Sequence, residues 1–220
     1  PRDWSSDVCS SDLGWDPHQR LVDISFDGIS AEVLYPTLGY SVHFVGDEEL
    51  EEACIRTYND WMIDFCSVAP ERFWGLAMLP LRNIDHSIAE MERCKKAGMK
   101  GVNLWIAPPK NQPYTSDFYE RFWAAAQDME MPLSMHINAL AEPREPNTGG
   151  LLWLHSVNAH KFELMSSLAQ IIGAGIFDRY PKLQVAGAEV GIGWIPFWLQ
   201  EDRKSTRLNS SHVALSRMPS

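Results

Sequence analysis

Two polar side chains lie at the ends of short apolar segments, where they could take part in chemistry. His136 lies at the end of PLSMHI (132–137), and Glu189 closes LQVAGAE (183–189). A histidine in such a position is a common metal ligand or general base, and a buried carboxylate needs a metal, a cation or a raised pKa. The alternatives are a structural histidine and a carboxylate that caps a helix beginning near Ile192. His136 is therefore a candidate metal ligand or general base and Glu189 a candidate functional carboxylate, and the structural alternatives stay open at this point.

The segments that carry these residues belong to a repeated pattern of strand, loop and helix. Apolar runs predict five strands, at 31–37, 72–81, 101–106, 132–137 and 183–189. Apolar spacing of three and four predicts helices at 47–66, 84–97, 116–129 and 151–178, and a further helix from about 192. The alternation predicts an α/β fold with a parallel sheet, either doubly wound or a (β/α)8 barrel. No predicted strand is followed by a Gly-rich dinucleotide fingerprint, which weakens the nucleotide-binding alternative.

Other residues at predicted strand ends are candidates for binding a substrate. The carboxyl ends of barrel strands meet at the face where barrel enzymes keep their active sites. This rule selects Arg82, Trp105 and Asn138 as residues that contact a small-molecule substrate. Arg82 could attract an anion locally, since the acidic chain as a whole does not. His43 and His86 are predicted to be solvated.

The composition excludes several classes of protein. The 220 residues are 45% hydrophobic and carry a formal charge of -10. A chain this apolar is not intrinsically disordered, and an acidic chain without a basic cluster is not expected to bind nucleic acid. No apolar run reaches the roughly 18 residues of a membrane span, and the amino terminus lacks the pattern of a signal peptide. We expect a cytoplasmic protein with no membrane partner and no disulfide framework.

The two ends of the sequence differ from everything between them. Residues 1–13 and 202–220 are rich in serine and show neither helical nor strand periodicity. One DNA sequence can encode DRKSTRLNSSH (202–212), and its reverse complement in another frame encodes residues 2–12. That DNA sequence resembles a short-read sequencing adapter. We therefore expect residues 1–13 and 202–220 to be adapter-like artefacts that flank a piece of a longer natural protein, residues 14–201.

Five blocks within residues 14–201 carry a resemblance to a known family. They are DGISAEVLYPT, YNDWMIDFCSVAPERFWGLAMLPL, GMKGVNLW, PLSMHI and YPKLQVAGAEVGIGWIPFWLQ. In order and spacing they resemble the amidohydrolase-related branch of the metal-dependent amidohydrolase superfamily, which includes the aminocarboxymuconate-semialdehyde decarboxylase-like enzymes. The resemblance implies a partial (β/α)8 TIM barrel, roughly strands two to six with their helices. It also implies one divalent metal, zinc or manganese.

The resemblance assigns roles to the two candidate residues. In that family an HxH pair on the first strand, a histidine ending the fifth and an aspartate on the eighth hold the metal. His136 matches the fifth-strand ligand, and the other ligands would fall before Gly14 and after Glu201. Glu189 matches a position that is histidine in the decarboxylase prototypes, where it is thought to act on metal-bound water. A carboxylate at this position departs from the family's histidine, but it could still accept a proton from metal-bound water or orient the metal's ligands.

The resemblance implies a metal-dependent hydrolase or non-oxidative carboxy-lyase that acts on a small carboxylic acid or aromatic compound. The full-length parent is expected to be active and homo-oligomeric, whereas the fragment is expected to be inactive. The alternative is a non-catalytic barrel of the same descent that binds a small molecule or a partner without metal. An HxH pair upstream and a strand-end aspartate downstream in the parent gene would favour the enzyme.

Overall fold

The computed structural model describes residues 14–36, 38–142 and 152–208, and the side chains of 152–158 and 202–208 are outside this description. Five strands form one sheet, and every neighbouring pair is parallel. Their bounds are β1 (Glu32–Leu34), β2 (Phe73–Ala77), β3 (Gly101–Leu104), β4 (Leu133–His136) and β5 (Val185–Ala188).

Seven α-helices lie in the described part of the chain: α1 (Pro17–Phe26), α2 (Glu48–Ser67), α3 (Ile84–Lys96), α4 (Glu120–Asp128), α5 (Leu152–Gly173), α6 (Ile176–Arg179) and α7 (Trp194–Leu208). Short 3₁₀ helices cover Leu38–Phe44 and Asp117–Tyr119. The helix starts follow local chemistry, because the Asp47 and Asn83 side chains accept hydrogen bonds from the first-turn amides of α2 and α3. Helix α1 was not predicted.

The order of the strands decides between the two predicted architectures. The sheet runs β1-β2-β3-β4-β5, the same order as in the chain. A doubly wound sheet reverses its strand order at a switch point, whereas barrel strands follow one another without reversal. Right-handed crossovers between successive strands then place the helices on one face of the sheet. The structure is a partial (β/α)8 barrel, as the resemblance implied.

Several predicted boundaries differ from the structure. The predicted helix 151–178 is interrupted after Gly173, and Gly175 adopts a left-handed φ of 69° before α6 begins. Strand β1 covers only three residues of the predicted 31–37. Helix α7 continues to Leu208, across the expected boundary at 201. Residues 1–13 and 209–220 lie outside the described residues, so the adapter origin of the ends stays a prediction.

Small residues in the strands let the helices approach the sheet closely. A Cβ atom at Gly75 in β2 would lie 2.6 Å from Met62 of α2, and one at Gly187 in β5 would lie 2.9 Å from Leu164 of α5. Tight packing of this kind excludes a larger side chain at either position. The core between the sheet and α4 is aromatic, with fully buried rings from Tyr114, Tyr119, Phe122 and Trp123. Several of these rings meet edge to face, as aromatic pairs prefer.

A buried amide joins α2 to the backbone that follows β2. Asn59 donates to the carbonyl of Met78 and accepts from its amide, each at 2.9 Å. The same Nδ2 also donates to Glu90 of α3 at 2.7 Å. Arg93 completes the network through two hydrogen bonds to the Glu90 carboxylate. Asn59 therefore satisfies both backbone groups of one buried residue and links two helices to the sheet.

Two further expectations can be compared with the structure. No helix in the described ranges is both long and apolar enough to cross a bilayer. Cys54, Cys66 and Cys94, the cysteines in the described ranges, are free thiols.

Replacing Asn59 by alanine is expected to lower the free energy of unfolding by about 2 kcal/mol, because Met78 would lose both of its backbone partners in a buried place. The measurement is the urea midpoint of the 220-residue chain. Asn111, which is exposed, provides the matched control Asn111→Ala, with no comparable loss. Equal midpoints for Asn59→Ala and the native chain would show that the amide network contributes nothing to stability.

Glu90 predicts a pH dependence of stability. Burial acts to raise its pKa, but hydrogen bonds from Arg93 and Asn59 outweigh burial and hold the pKa below the usual 4.5. The stabilisation from this group is therefore present above pH 4.5 and lost as the pH falls through the folded-state pKa. Thermal unfolding is measured as a function of pH. The melting temperature should fall less steeply toward acid pH in Glu90→Gln than in the native chain. Glu92→Gln, at an exposed ion pair with Lys96, should keep the native acid slope.

Candidate active site

The register of β4 and β5 brings His136 and Glu189 together. His136 is the last residue of β4 and pairs with Ala188, the last residue of β5, so Glu189 follows directly beside it. Nε2 of His136 lies 3.3 Å from Oε2 of Glu189. The histidine side chain is buried, whereas the Glu189 side chain is 62% exposed. The pair thus has one fixed member and one member that solvent or a ligand can reach.

Glu189 has a backbone conformation that its residue type rarely adopts. Its φ is +61°, in the left-handed region that costs a residue with a Cβ about 1–2 kcal/mol. Glu130 is the other described residue besides glycine with a positive φ. Strain of this kind tends to be kept where the side chain has a function. A glycine at 189 would relieve the strain but would remove the carboxylate, so the residue type and the conformation conflict here.

Backbone contacts assign the ring proton of His136. The amide of Asn138 donates to Nδ1 at 3.3 Å, so Nδ1 is the unprotonated nitrogen. Nε2 then carries the proton and lies 3.3 Å from Oε2 of Glu189. Burial lowers the pKa of His136, although the charge of Glu189 acts in the opposite direction. The imidazole is therefore neutral near pH 7, which is the form that binds metals.

Two tyrosine rings contact the His136 imidazole. Tyr40, from the 3₁₀ helix, stacks on it with 5.3 Å between ring centroids, and Tyr35, after β1, lies at 5.0 Å. The Tyr40 hydroxyl donates to Asn103 at 2.7 Å, and the Tyr35 hydroxyl is 2.8 Å from Ser134. None of these four residues was predicted from the sequence to lie at the site. A signal was present for two of them, since Asn103 and Ser134 are polar residues inside apolar strands.

Arg82 and Trp105 lie in a second cluster. The Arg82 guanidinium is 5.4 Å from the centroid of the Trp105 ring. It also lies 3.5 Å from a carboxylate oxygen of Glu51 and donates to the carbonyls of His43 and Ala141. These contacts join the 3₁₀ helix to the loop after β4. The guanidinium thus holds two loops together, and its contact with a substrate stays a prediction.

Two expectations about this second cluster need comment. His43 was predicted to be solvated, and this is wrong: it is 5% exposed and its Nδ1 is 2.7 Å from Glu51. The sequence alone does not show that α2 folds back over the 3₁₀ helix Leu38–Phe44 and buries His43. Trp105 is 1% exposed and so offers almost no surface among the described residues. Its contact with a substrate stays a prediction. The Asn138 side chain is exposed, and its contact with the site is through the backbone amide.

The His136–Glu189 pair suits a divalent cation. Two ligands about 2.1 Å from one ion lie about 3.0–3.4 Å apart, which matches the 3.3 Å between Nε2 and Oε2. Imidazole nitrogen and carboxylate oxygen are ligands of both zinc and manganese. A cation at Nε2 requires the ring proton on Nδ1, so the long contact with Asn138 would be given up. Within the described ranges no third His, Cys, Asp or Glu joins the pair.

Comparison with known proteins identifies the family. The family model described as amidohydrolase matches residues 24–216. The chain belongs to the amidohydrolase family. Among curated members, a gamma-resorcylate decarboxylase from Polaromonas sp. is 26% identical over 166 residues, 70% of this chain and 49% of that protein. A 2-amino-3-carboxymuconate-6-semialdehyde decarboxylase from Dictyostelium discoideum is 25% identical over 186 residues, 83% of this chain and 50% of that protein.

Solved amidohydrolase-family structures share the fold. A dihydroxybenzoic acid decarboxylase from Polaromonas sp., with bound manganese and 2-nitroresorcinol, superposes with a TM-score of 0.68 at 22% identity over 92% of this chain and 61% of that chain. A 5-carboxyvanillate decarboxylase from Novosphingobium aromaticivorans, complexed with manganese, gives 0.67 at 22% identity over 86% and 53%. The chain spans about half the length of the two curated relatives described above.

Replacing Glu189 by glycine is expected to raise the free energy of unfolding by about 1 kcal/mol, because the left-handed strain disappears. Glu189→Ala keeps the strain and removes the carboxylate, so it should not stabilise the chain. Chemical unfolding of both variants measures the difference. Glu130→Gly, away from the pair, serves as the control and should also stabilise. The interpretation of Glu189 as strained fails if Glu189→Gly is less stable than Glu189→Ala.

Proposed function

We propose that the chain is part of a metal-dependent carboxy-lyase or hydrolase that acts on a small carboxylic acid or aromatic compound. The observation that carries the proposal is the His136–Glu189 pair at the carboxyl ends of adjacent strands, with donor atoms 3.3 Å apart. Barrel enzymes build active sites on this face. The names of the curated relatives, which are decarboxylases, support the lyase over the hydrolase.

His136 would hold the divalent cation, zinc or manganese, through a ring nitrogen. Its burial and its neutral ring favour this role, because a protonated imidazole cannot bind a metal. Further ligands would come from segments outside the described residues. When bound, the cation would supply positive charge for a substrate carboxylate and would lower the pKa of bound water.

Glu189 would move a proton. Loss of carbon dioxide from a carboxylate leaves an electron pair on carbon, and that carbon must gain a proton to give the product. The Glu189 carboxyl group is exposed enough to take a proton from solvent and to deliver it to a substrate. For a hydrolase, the same carboxylate would accept a proton from the attacking water. The half-buried Tyr35 ring beside His136 offers an apolar face to an aromatic substrate.

The second candidate is a barrel protein that binds a small molecule or a partner without metal. Such a protein would share the fold and the family of the enzyme but would hold no cation at His136. Metal content of the parent protein distinguishes the two. A purified, active parent without stoichiometric metal would refute the metal-dependent enzyme.

The 220-residue chain is expected to bind Mn²⁺ weakly through His136, and His136→Ala should lower the affinity by about tenfold or more. The measurement is the electron paramagnetic resonance signal of free Mn²⁺ in a titration. His18→Ala removes an exposed histidine of α1 and should leave the affinity unchanged. If His136→Ala and the native chain bind Mn²⁺ equally, His136 is not a ligand.

The parent enzyme, rebuilt from the gene that encodes residues 14–201, tests the reaction itself. It should release carbon dioxide from a dihydroxybenzoate when a divalent cation is present and lose this activity in a chelator. Hydrolysis without release of carbon dioxide would favour the hydrolase, and neither activity would favour the binding protein.

A further inference from the structure

A series of contacts between buried polar side chains extends from the centre of the sheet to the ring of His136. The Asn103 side chain, 4% exposed in β3, reaches the carbonyls of Leu76 and Ala77 at 3.3 and 3.4 Å. Its Oδ1 accepts the hydrogen bond from the Tyr40 hydroxyl. The Tyr40 ring then stacks on the imidazole with an interplanar angle of 23°. The plane of the His136 ring is thus connected, through Tyr40 and Asn103, to the backbone of β2.

Tyr40 has the properties of an anchored ring. It is 2% exposed, and burial raises the pKa of its phenol far above the usual 10, so the hydroxyl remains a donor. A phenol and an amide are costly to bury, and they are retained only where they pair. Packing alone would need only an apolar side chain at position 40. The hydrogen bond to Asn103 fixes the orientation of the ring as well as its place.

The other contacts of the imidazole leave room for rotation. The Asn138 amide donates to Nδ1 over a long 3.3 Å, and Nε2 lies 3.3 Å from an exposed carboxylate, so neither contact holds the ring closely. Rotation about the Cβ–Cγ bond of histidine is soft, with broad minima. A ligand ring must be held within about 10–20° of its productive orientation. The stacked Tyr40 ring restrains the plane of the imidazole, which the two contacts at 3.3 Å do not.

We propose that Tyr40, anchored by Asn103, is a positioning residue that sets the ring plane of His136 and directs Nε2 toward Glu189. Only one consequence of this proposal, that the positioned ring binds a cation, rests on the proposed function. The ring orientation itself can be tested without any metal. Tyr35 contacts the same imidazole at a larger tilt of 36° and has a separate anchor, Ser134, in β4 itself.

Histidine-selective ¹⁵N labelling of the 220-residue chain tests the proposal, with the His136 signals assigned through His136→Gln. The native chain should show one ring state with the proton on Nε2. Tyr40→Leu should shift or broaden the His136 ring signals, because the stack is lost. Tyr40→Phe keeps the stack without its anchor, and Asn103→Ala removes the anchor alone, so both should give a smaller change. Tyr119→Leu, at another buried tyrosine with one carbonyl partner, should leave the His136 signals unchanged.

The outcomes separate the positioning role from the metal role. His136 signals that are native in Tyr40→Leu, or equally disturbed in Tyr119→Leu, overturn the proposal. If Tyr40→Leu does not fold, native signals in both Tyr40→Phe and Asn103→Ala overturn it. Altered His136 signals with about tenfold weaker Mn²⁺ binding support positioning and the metal role together. Altered signals in Tyr40→Leu, with Mn²⁺ binding that His136→Ala also leaves unchanged, support positioning and refute His136 as the ligand.

Discussion

Parallel pairing of His136 with Ala188 is the constraint on which the site depends. A parallel ladder sets which residues of two strands lie side by side and on which face of the sheet each side chain lies. A shift of the pairing register by one residue would move every side chain of the strand to the opposite face. Because β4 and β5 end at the same level, the residue that follows β5 falls beside the imidazole. The unusual φ of Glu189 then turns the chain at that point.

Buried polar side chains transmit this constraint through the loops. Asn59 joins α2 to the residue that follows β2, Asn103 anchors Tyr40, and Arg82 joins the 3₁₀ helix to the loop after β4. Each of these side chains forms hydrogen bonds with backbone atoms of a neighbouring element. The carboxyl face of the sheet is therefore ordered by side chains that a ligand need not contact. The exposed carboxylate of Glu189 therefore lies above residues that these contacts hold in place.

The fold, and the position of His136 and Glu189 at neighbouring strand ends, could be predicted from the sequence, whereas the residues around them could not. His136 and Glu189 close apolar segments, and parallel strands bring such ends together whatever the loops do. Gly98 lies one residue beyond the C-cap of α3 and has the left-handed φ of 97° for which glycine is suited. His43 was misjudged because its burial depends on contacts with α2, which periodicity does not reveal. Tyr40 contacts a histidine far along the chain, and no local pattern reports a stack of that kind.

The position of β5 gives the site a dynamic property of its own. Among the described strands β5 pairs with β4 alone, and its central residues Ala186 and Gly187 are exposed. Strands held on one side by a few hydrogen bonds open locally at a lower free energy than the core. His136 would remain in place during such an opening, because β3 and the tyrosine rings hold it from the other side. In the 220-residue chain, fraying of β5 would therefore carry Glu189 away from an imidazole that stays fixed, and the pair would separate and re-form while the rest of the sheet stays folded. A further barrel strand paired with β5 would suppress this opening.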